Sequence, residues 1–505
     1  MDKRDFLKYS LLAGVSTLAL PKNLFAQSPD FSDYKAIVVV FQGGGSDGLN
    51  TFIPYSSDAK TGYSNYASIR DVLRVENNEL ALNTNAGELS LSKGAGNPYY
   101  KNNSIGDAYL NGLYSHTLNG AKLPYATNGV MPELAHIINE GNGAIIANVG
   151  NLIAPATKSE LLGQKKPLPP FLYAHNHQTK LTLCGEASDL NANGWAGRLF
   201  DTWDNLAASS IYGMNISFSG ATHLFYGAKT EGLKLSPWGP TKYYYTPNWN
   251  DTLNAQKRGV ATAMYKLERR DVFQKLYTTM KQHSYSMEET LVSDWENSKD
   301  IFDGVNNAYG DALFSVLSDS DLGESSKNAI PAEAELKKFE AVAKMIHIGK
   351  NIHNLKRQIF YVELGGYDTH ANQKFQHAKI LRAMSLALGD FQRALKHMGV
   401  ENEVVTLNVS DFGRSTGNNG DGTDHAWGTN SFVIGDAIKG GVYGTLPDLT
   451  LGSDDDLTKK GRLIPTTSTT QLYATVLKWF GVDDTTMNVV LPELKNFSNK
   501  DLGFL

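Results

Sequence analysis

The sequence predicts an α/β protein in which helices flank a mostly parallel central sheet. Short, continuous apolar runs have the length of strands that are covered on both faces. Between these runs lie stretches with apolar residues at helical spacing, of which residues 374–398 are the clearest. Strands that alternate with helices are typical of a parallel sheet. The predicted strands are residues 36–41, 144–149, 359–364 and 403–409, with a further candidate at 431–434.

Two segments interrupt this alternation and predict insertions. The segment at about residues 55–125 is rich in Tyr, Asn, Ser and Gly, and it predicts a loop insertion. The segment at about residues 250–350 is charged and mostly helical in pattern, and it predicts a helical insertion beside the sheet. We therefore expect one α/β domain over residues 34–505, with these two insertions.

The first residues predict an export signal at residues 1–27. A short basic start precedes an apolar run from Tyr9 to Leu20, and Pro21 ends that run. The run is shorter than the ~20 residues of a membrane span, and no second segment is apolar enough to span. The string KRDFLK resembles a twin-arginine signal in which Lys3 replaces the first arginine. The alternative is a buried N-terminal helix. An export signal implies a periplasmic or secreted protein.

Composition excludes several classes of protein. The net charge of −5 comes without a basic stripe that interleaves with aromatic residues, so nucleic acid is not an expected partner. Cys184 is the one cysteine, which excludes an intramolecular disulfide and a zinc site made of several thiolates from one chain.

The stretch FQGGGSDGLN follows the first predicted strand and fits G-x-G-x-x-G through its glycines. A dinucleotide-binding turn must open a helix and be followed by a second strand that ends in an acid roughly 20 residues later. Here Pro54 comes too early for a long helix, and no apolar strand follows. The sequence therefore disfavours a nucleotide-dependent oxidoreductase. Asp47, just beyond a strand end, becomes the informative residue instead.

Matching acids follow two other predicted strands. Asp368 lies in the stretch GGYDTH and Asp411 in the stretch SDFGR, while His370 and His425 lie close by. Parallel strands would bring these loops and Asp47 to one edge of the sheet, where ligands bind in open α/β sheets. Carboxylate oxygen and imidazole nitrogen suit zinc or manganese. A single Asp after a strand is usually a turn or cap residue, but here the arrangement repeats.

One further polar cluster is the stretch YAHNHQTK after the second strand. His175 and His177 do not face each other on a helix, although one of them could turn inward from a loop. The alternative is a polar surface loop.

These motifs, in this order and over nearly the whole mature length, resemble the secreted domain-of-unknown-function family 1501. The matching stretches are VVVFQGGGSDGLNTFIPY, HNHQ, GWAGR, GGYDTHANQ, SDFGR and TDHAWG. That family is similar to the alkaline phosphatase and sulfatase superfamily. The resemblance implies a mixed, mainly parallel sheet, one or two divalent metals at the strand ends, and a Ser, Thr or formylglycine nucleophile that attacks phosphate or sulfate esters.

The resemblance also implies metal ligands. Asp47 and Asp411 would hold one metal, and Asp368, His370 and His425 the other. Phe412 stands where the superfamily often has His, and the spacing from Asp368 to His370 is short, so His175 or His177 could complete a site instead. The ion implied is zinc or manganese, with calcium as a further candidate.

The resemblance places the nucleophile near the stretch HNHQT. Ala174 stands where relatives often have Ser, which leaves Thr179 as the nearest hydroxyl, with His175 beside it; Ser46 is a second hydroxyl, on a different loop. Arg414 could hold an anionic oxygen with its planar donors. The alternative for Arg414 is a surface salt bridge.

Two functions follow from these features. The first is an exported metal-dependent hydrolase of a small-molecule or polymer phosphate or sulfate ester. The second is a non-catalytic exported protein that keeps a structural metal and binds a protein partner or polysaccharide through Tyr/Trp-rich segments such as residues 242–249. The Asp/His set favours the first, and the lack of Ser or Thr at position 174 favours the second.

Overall fold

The fold is described from a computed structural model that covers residues 30–93, 105–203, 212–240, 242, 249–266, 271–316 and 332–505. The expected export signal at residues 1–27 and most of residues 242–249 lie outside these ranges. In the part of the chain that the structure describes, no helix is both long enough and apolar enough to cross a membrane.

A nine-stranded sheet forms the centre of the protein. Its strands in chain order are β1 (Lys35–Gln42), β2 (Gly143–Gly150), β3 (Asn215–Ser217), β4 (Leu233–Lys234), β5 (Arg357–Leu364), β6 (Val404–Ser410), β7 (Thr429–Ile434), β8 (Gly441–Tyr443) and β9 (Thr467–Ser468). Their spatial order is β4-β3-β5-β1-β6-β7-β2-β8, and β9 pairs with β2. Only β7 among these strands runs antiparallel to its neighbours. The predicted fold class, a mostly parallel sheet flanked by helices, is confirmed.

Helices cover both faces of this sheet. In chain order they are α1 (Gly48–Thr51), α2 (Tyr63–Arg70), α3 (Ile105–Asn111), α4 (Pro132–Asn139), α5 (Lys158–Leu162), α6 (His175–Cys184), α7 (Trp195–Thr202), α8 (Asp251–Lys266), α9 (Val272–Asn297), α10 (Glu333–His347), α11 (Gln373–His397), α12 (Thr469–Phe480) and α13 (Asp484–Val490). Short strands outside the central sheet are Phe52–Pro54, Thr84–Asn85, Glu88–Leu89, Leu113–Tyr114, Thr117–Leu118, Ala121–Lys122 and Tyr125–Asn128.

Alternate residues of β1 enter two different cores. Val38 and Val40 belong to the core under α4, α10 and α11, whereas Val39 and Phe41 belong to the core under α7, α12 and α13. A strand that is buried on both faces needs apolar residues at successive positions, which explains the continuous run. Of the helices in the charged segment at residues 250–350, α10 packs on the sheet core through Leu336 and its neighbours.

The ends of the three central strands are level with one another. Gln42 pairs with Leu364 on one side and with Ser410 on the other, so β1, β5 and β6 end at the same edge. Because β7 is antiparallel, the loop that precedes it also starts from this edge. The fold therefore gathers the loops that carry Asp47, Asp368, Asp411 and His425.

Candidate metal centre

Three histidines and one aspartate converge at this edge. Asp368 lies in the loop after β5, and His425 lies in the loop before β7. His175 is the first residue of α6, which Ala174 precedes as the N-cap. His175, Asp368 and His425 form a group whose ligand atoms all lie within 4.8 Å of one another. His370 lies next to this group, because its Nε2 is 3.1 Å from Oδ1 of Asp368.

The Nε2 atoms of the three histidines all lie close to the Asp368 carboxylate, and we call this place the shared point. Nε2 of His425 lies 3.0 Å from that of His175 and 2.8 Å from that of His370. The Asp368 carboxylate lies 3.1 Å from Nε2 of His425 and 3.5 Å from Nε2 of His175. Zinc bonds of about 2.0–2.1 Å in a tetrahedron place ligand atoms roughly 3.3 Å apart. The separations within the group of His175, Asp368 and His425 match those of ligands around one ion, whereas His370 lies beside that group.

The opposite nitrogen of each ring faces an acceptor. Nδ1 of His175 lies 2.5 Å from Oδ2 of Asp411, and Nδ1 of His425 lies 2.9 Å from the Tyr173 carbonyl. Nδ1 of His370 lies 3.3 Å from Oδ1 of Asp424. We assign the proton of each ring to Nδ1 because its neighbour there is an acceptor. Each Nε2 then presents a lone pair to the shared point.

This donor set fits a divalent metal. Lone pairs about 3 Å apart repel one another, and extra protons on Nε2 of His175 and His370 would place two imidazolium cations side by side. A cation among the Nε2 atoms and the Asp368 carboxylate removes both conflicts. Metal-binding histidines usually donate their second ring N–H to a carboxylate or a carbonyl, as these do.

The charges of the group follow from its surroundings. The Asp411 carboxylate raises the pKa of His175, whereas burial lowers the pKa of His425. Burial opposes ionisation of Asp368, but the hydrogen bond and charge of Arg414 and the neighbouring histidines together outweigh this effect and hold the pKa of the carboxyl below its ordinary value. Asp368 is therefore ionised at neutral pH, as a metal ligand must be.

Asp411 lies behind His175 and does not face the shared point. Its Oδ2 accepts from His175, and its Oδ1 accepts from the Gly45 amide at 2.7 Å and from the Ser410 hydroxyl at 3.0 Å. Since both oxygens already have donors, the geometry favours a role for Asp411 in orienting His175 over direct metal contact.

Asp47 is buried in a separate ion pair, which argues against its predicted role as a metal ligand. Its two oxygens lie 2.7 and 2.8 Å from the two terminal nitrogens of Arg70, and Gln373 donates a further hydrogen bond. Both side chains are fully buried. The Arg70 guanidinium therefore already neutralises this carboxylate, and a metal ion there would face a cation.

The contacts of Arg414 argue against its predicted role of holding an anionic oxygen. Its Nη1 donates to Oδ1 of Asp368 at 2.7 Å, its Nη2 donates to the Thr423 carbonyl, and its Nε lies 3.3 Å from the Thr423 hydroxyl. The guanidinium is fully buried, which also excludes the surface salt bridge. With all three nitrogens used, Arg414 orients Asp368 and is not free to bind an anionic oxygen.

The other predicted residues lie beside the cluster without joining it. Thr179 is half-buried, one turn along α6 from His175. Among the described residues it has no hydrogen bond to the cluster. His177 stacks on Phe171 with ring centroids 4.2 Å apart. Ser46 is buried, and its backbone amide donates to the Ser410 hydroxyl at 2.9 Å.

The sequence did not identify the residues that contact the histidines on the side away from the shared point. Nε of Arg462 donates to the His425 carbonyl at 2.8 Å, and its guanidinium lies 4.3 Å from the centre of the Tyr173 ring. Tyr173 itself has a φ of 76° and supplies the carbonyl that faces His425. Asp424 could have been found from the sequence because it precedes His425 in TDHAWG, whereas Arg462 lies in none of the motifs.

Part of the chain matches a known protein family. Residues 319–492 match the family model described as a protein of unknown function, DUF1501. The resemblance to that family is confirmed for this segment, which contains Asp368, His370, Asp411 and His425 but not His175. No curated protein matches the sequence.

Several solved structures are similar at low identity. Ps i-CgsB in complex with k-i-k-neocarrahexaose has 9% identity and a TM-score of 0.32, over 92% of this chain and 77% of that one. A structure from work on glycosaminoglycan metabolism by Bacteroides thetaiotaomicron has 11% identity and a TM-score of 0.30, over 90% and 74%. Alkaline phosphatase from the Antarctic bacterium TAB5 has 10% identity and a TM-score of 0.23, over 92% and 99%.

Proposed function

We propose that this protein is an exported metal-dependent hydrolase of phosphate or sulfate esters. The observation that carries the proposal is the group of His175, Asp368 and His425, whose ligand atoms lie within 4.8 Å of one another, with the Nδ1 atom of each histidine facing an acceptor. An imidazole-rich donor set suits zinc better than calcium, which takes oxygen ligands. A divalent ion held there would polarise an ester oxygen and lower the pKa of a bound water.

The side chains of the protein would each have a defined task in this site. Asp411, Asp424 and the Tyr173 carbonyl hold the imidazoles in the required tautomer. Arg414 balances part of the charge on Asp368. Asp368 and His370 are nearly half exposed, so the centre is open to solvent on their side. A small or polymeric ester could approach the ion from that side.

The test combines metal content with hydrolysis. Elemental analysis is made on the purified folded protein and on Asp368→Ala/His425→Ala, and both are assayed with aryl phosphates and aryl sulfates. His397→Ala, an exposed histidine at the end of α11, is the matched control. We expect one transition metal per chain and hydrolysis in wild type and His397→Ala, with both lost in the double variant. Absence of metal after reconstitution would overturn the proposal.

A second candidate function is a non-catalytic metal-binding protein on the same fold. The observation that favours it is Ala174 at the N-cap of α6, together with the lack of a described hydroxyl hydrogen-bonded to the cluster near Thr179. Stoichiometric metal without hydrolysis of either ester class would favour this second function.

Export is the remaining part of the proposal and rests on the sequence of residues 1–27. Fractionation of cells that express the full chain, with N-terminal sequencing of the mature protein, tests it. Retention of the intact N-terminus in the cytoplasm would contradict export.

A further inference from the structure

Helices α8 and α9 form a hairpin that is joined to the protein at one end. The C-terminal half of α9 is anchored, because Leu291 is buried in the core and Asp294 accepts from the Tyr212 hydroxyl at 2.8 Å. Arg258 ties α8 to α9 through Glu288 at 2.7 Å. Beyond this ion pair, α8 continues to Lys266 and α9 reaches back to its start at Val272, and we call this end of the two helices the tip.

The tip exposes large apolar side chains on both helices. On α9 they follow helical spacing and form one stripe, and on α8 two more lie one turn apart. We call this set the tip patch: Val260, Met264, Phe273, Leu276, Tyr277 and Met280. Each is more than half exposed, from 53% for Tyr277 to 77% for Phe273. An exposed apolar stripe of this kind marks an interaction site.

The charge of the same segment indicates the nature of its partner. Residues 251–266 and 271–281 contain five Lys and Arg against two Asp and no Glu, whereas the whole chain has a net charge of −5. Lys275 is exposed beside the apolar stripe of α9. The tip is therefore a basic region on an acidic protein, and it complements an anionic surface.

We propose that the tip patch binds the surface of an anionic phospholipid membrane. A second copy of the chain is a poorer occupant, because two tips would bring like charges together. An amphipathic helix with Phe, Leu and Met on one face and Lys and Arg around it inserts its apolar face at the boundary of headgroups and acyl chains. Basic residues near the surface add attraction to anionic lipids.

The experiment measures co-sedimentation of the full folded protein with vesicles. Phosphatidylcholine vesicles with about one-third phosphatidylglycerol are compared with pure phosphatidylcholine, at low and high salt. We expect binding to the anionic vesicles that weakens in high salt. Phe273→Ser/Leu276→Ser/Met280→Ser should weaken it at least tenfold, and Lys275→Glu/Lys281→Glu should remove most of the salt dependence.

A matched control substitutes exposed apolar residues elsewhere. Leu162→Ser/Leu451→Ser/Val489→Ser changes side chains of similar exposure outside the hairpin and should bind as wild type does. Equal binding by the tip and control variants, or absence of binding to anionic vesicles, would overturn the proposal. Light scattering at the assay concentration tests whether a second copy of the chain binds the tip patch. A dimer that is lost in the tip variant would assign the patch to self-association and overturn the lipid proposal.

Discussion

Nδ1 of His175 lies 2.5 Å from Oδ2 of Asp411, although 236 positions separate the two residues in the chain. The contact fixes the proton on Nδ1 and directs Nε2 toward Asp368 and His425. We predict that Asp411→Asn weakens metal affinity by about 10–100-fold, because it removes the charge that holds the imidazole. Titration against a chelator of known affinity measures the change.

The matched control for this prediction is Asp424→Asn. Its contact with His370 is longer, at 3.3 Å, and more exposed, so the loss of affinity should be smaller. Equal metal affinity in Asp411→Asn and wild type would contradict the role of Asp411.

The buried pair of Asp47 and Arg70 yields a second prediction. Arg70→Met leaves the Asp47 carboxylate buried without a counter-charge, and such changes cost about 3–5 kcal/mol in the free energy of unfolding. Since this pair is separate from the histidine cluster, the folded variant should still bind one metal. Denaturant unfolding and elemental analysis give the two readouts.

Arg74→Met is the comparison for this pair, because Arg74 contacts Glu76 at 2.7 Å on the surface. Exposed pairs contribute little, so its stability should change little. Loss of metal from folded Arg70→Met would contradict the separation of this pair from the histidine cluster.

The contact of Arg462 with Tyr173 and His425 yields a third prediction. Arg462→Met removes the donor to the His425 carbonyl and the charge above the Tyr173 ring. The Tyr173 carbonyl that faces His425 is then less fixed, and we expect metal affinity to fall about tenfold. Chelator competition measures it, with Arg462→Lys expected to recover part of the loss. Unchanged affinity in Arg462→Met, measured on folded protein, would show that this outer contact does not support the site.

Asp390 lies away from the metal centre, and its pKa predicts that the free energy of unfolding depends on pH. Burial raises its pKa to about 7, although its Oδ2 accepts from the Phe314 amide at 2.8 Å. Between pH ~4 and 7 the folded state therefore holds a proton on this carboxyl that the unfolded state has lost, so its contribution to stability falls as pH rises. Asp390→Asn removes this dependence and should gain stability relative to wild type by at most about 4 kcal/mol at pH 8.

Denaturant unfolding of both proteins from pH 4 to 8 measures this difference. Asp300→Asn, which changes an exposed carboxyl, is the control and should follow wild type at every pH. A constant difference between Asp390→Asn and wild type over this range would mean that Asp390 does not titrate there.

Much of the fold was predictable because strand and helix periodicity is local. The run at residues 36–41 indicated β1 since every position of a doubly covered strand is buried. The helix predicted at 374–398 is α11, Gln373–His397. The short strands β3, β4, β8 and β9 were missed, since two or three residues carry too little periodicity.

The sequence by itself determined which residue types lie near the strand ends, and so it placed Asp368, His370 and His425 among the candidates. Only the tertiary structure decided which partners these and the other candidate residues contact. It set the Arg70 guanidinium against Asp47, placed Asp411 behind His175, and surrounded Arg414 with acceptors. The physical reason is that periodicity depends on neighbouring residues, whereas the partner of a charged side chain depends on which distant loops the sheet brings to the same edge.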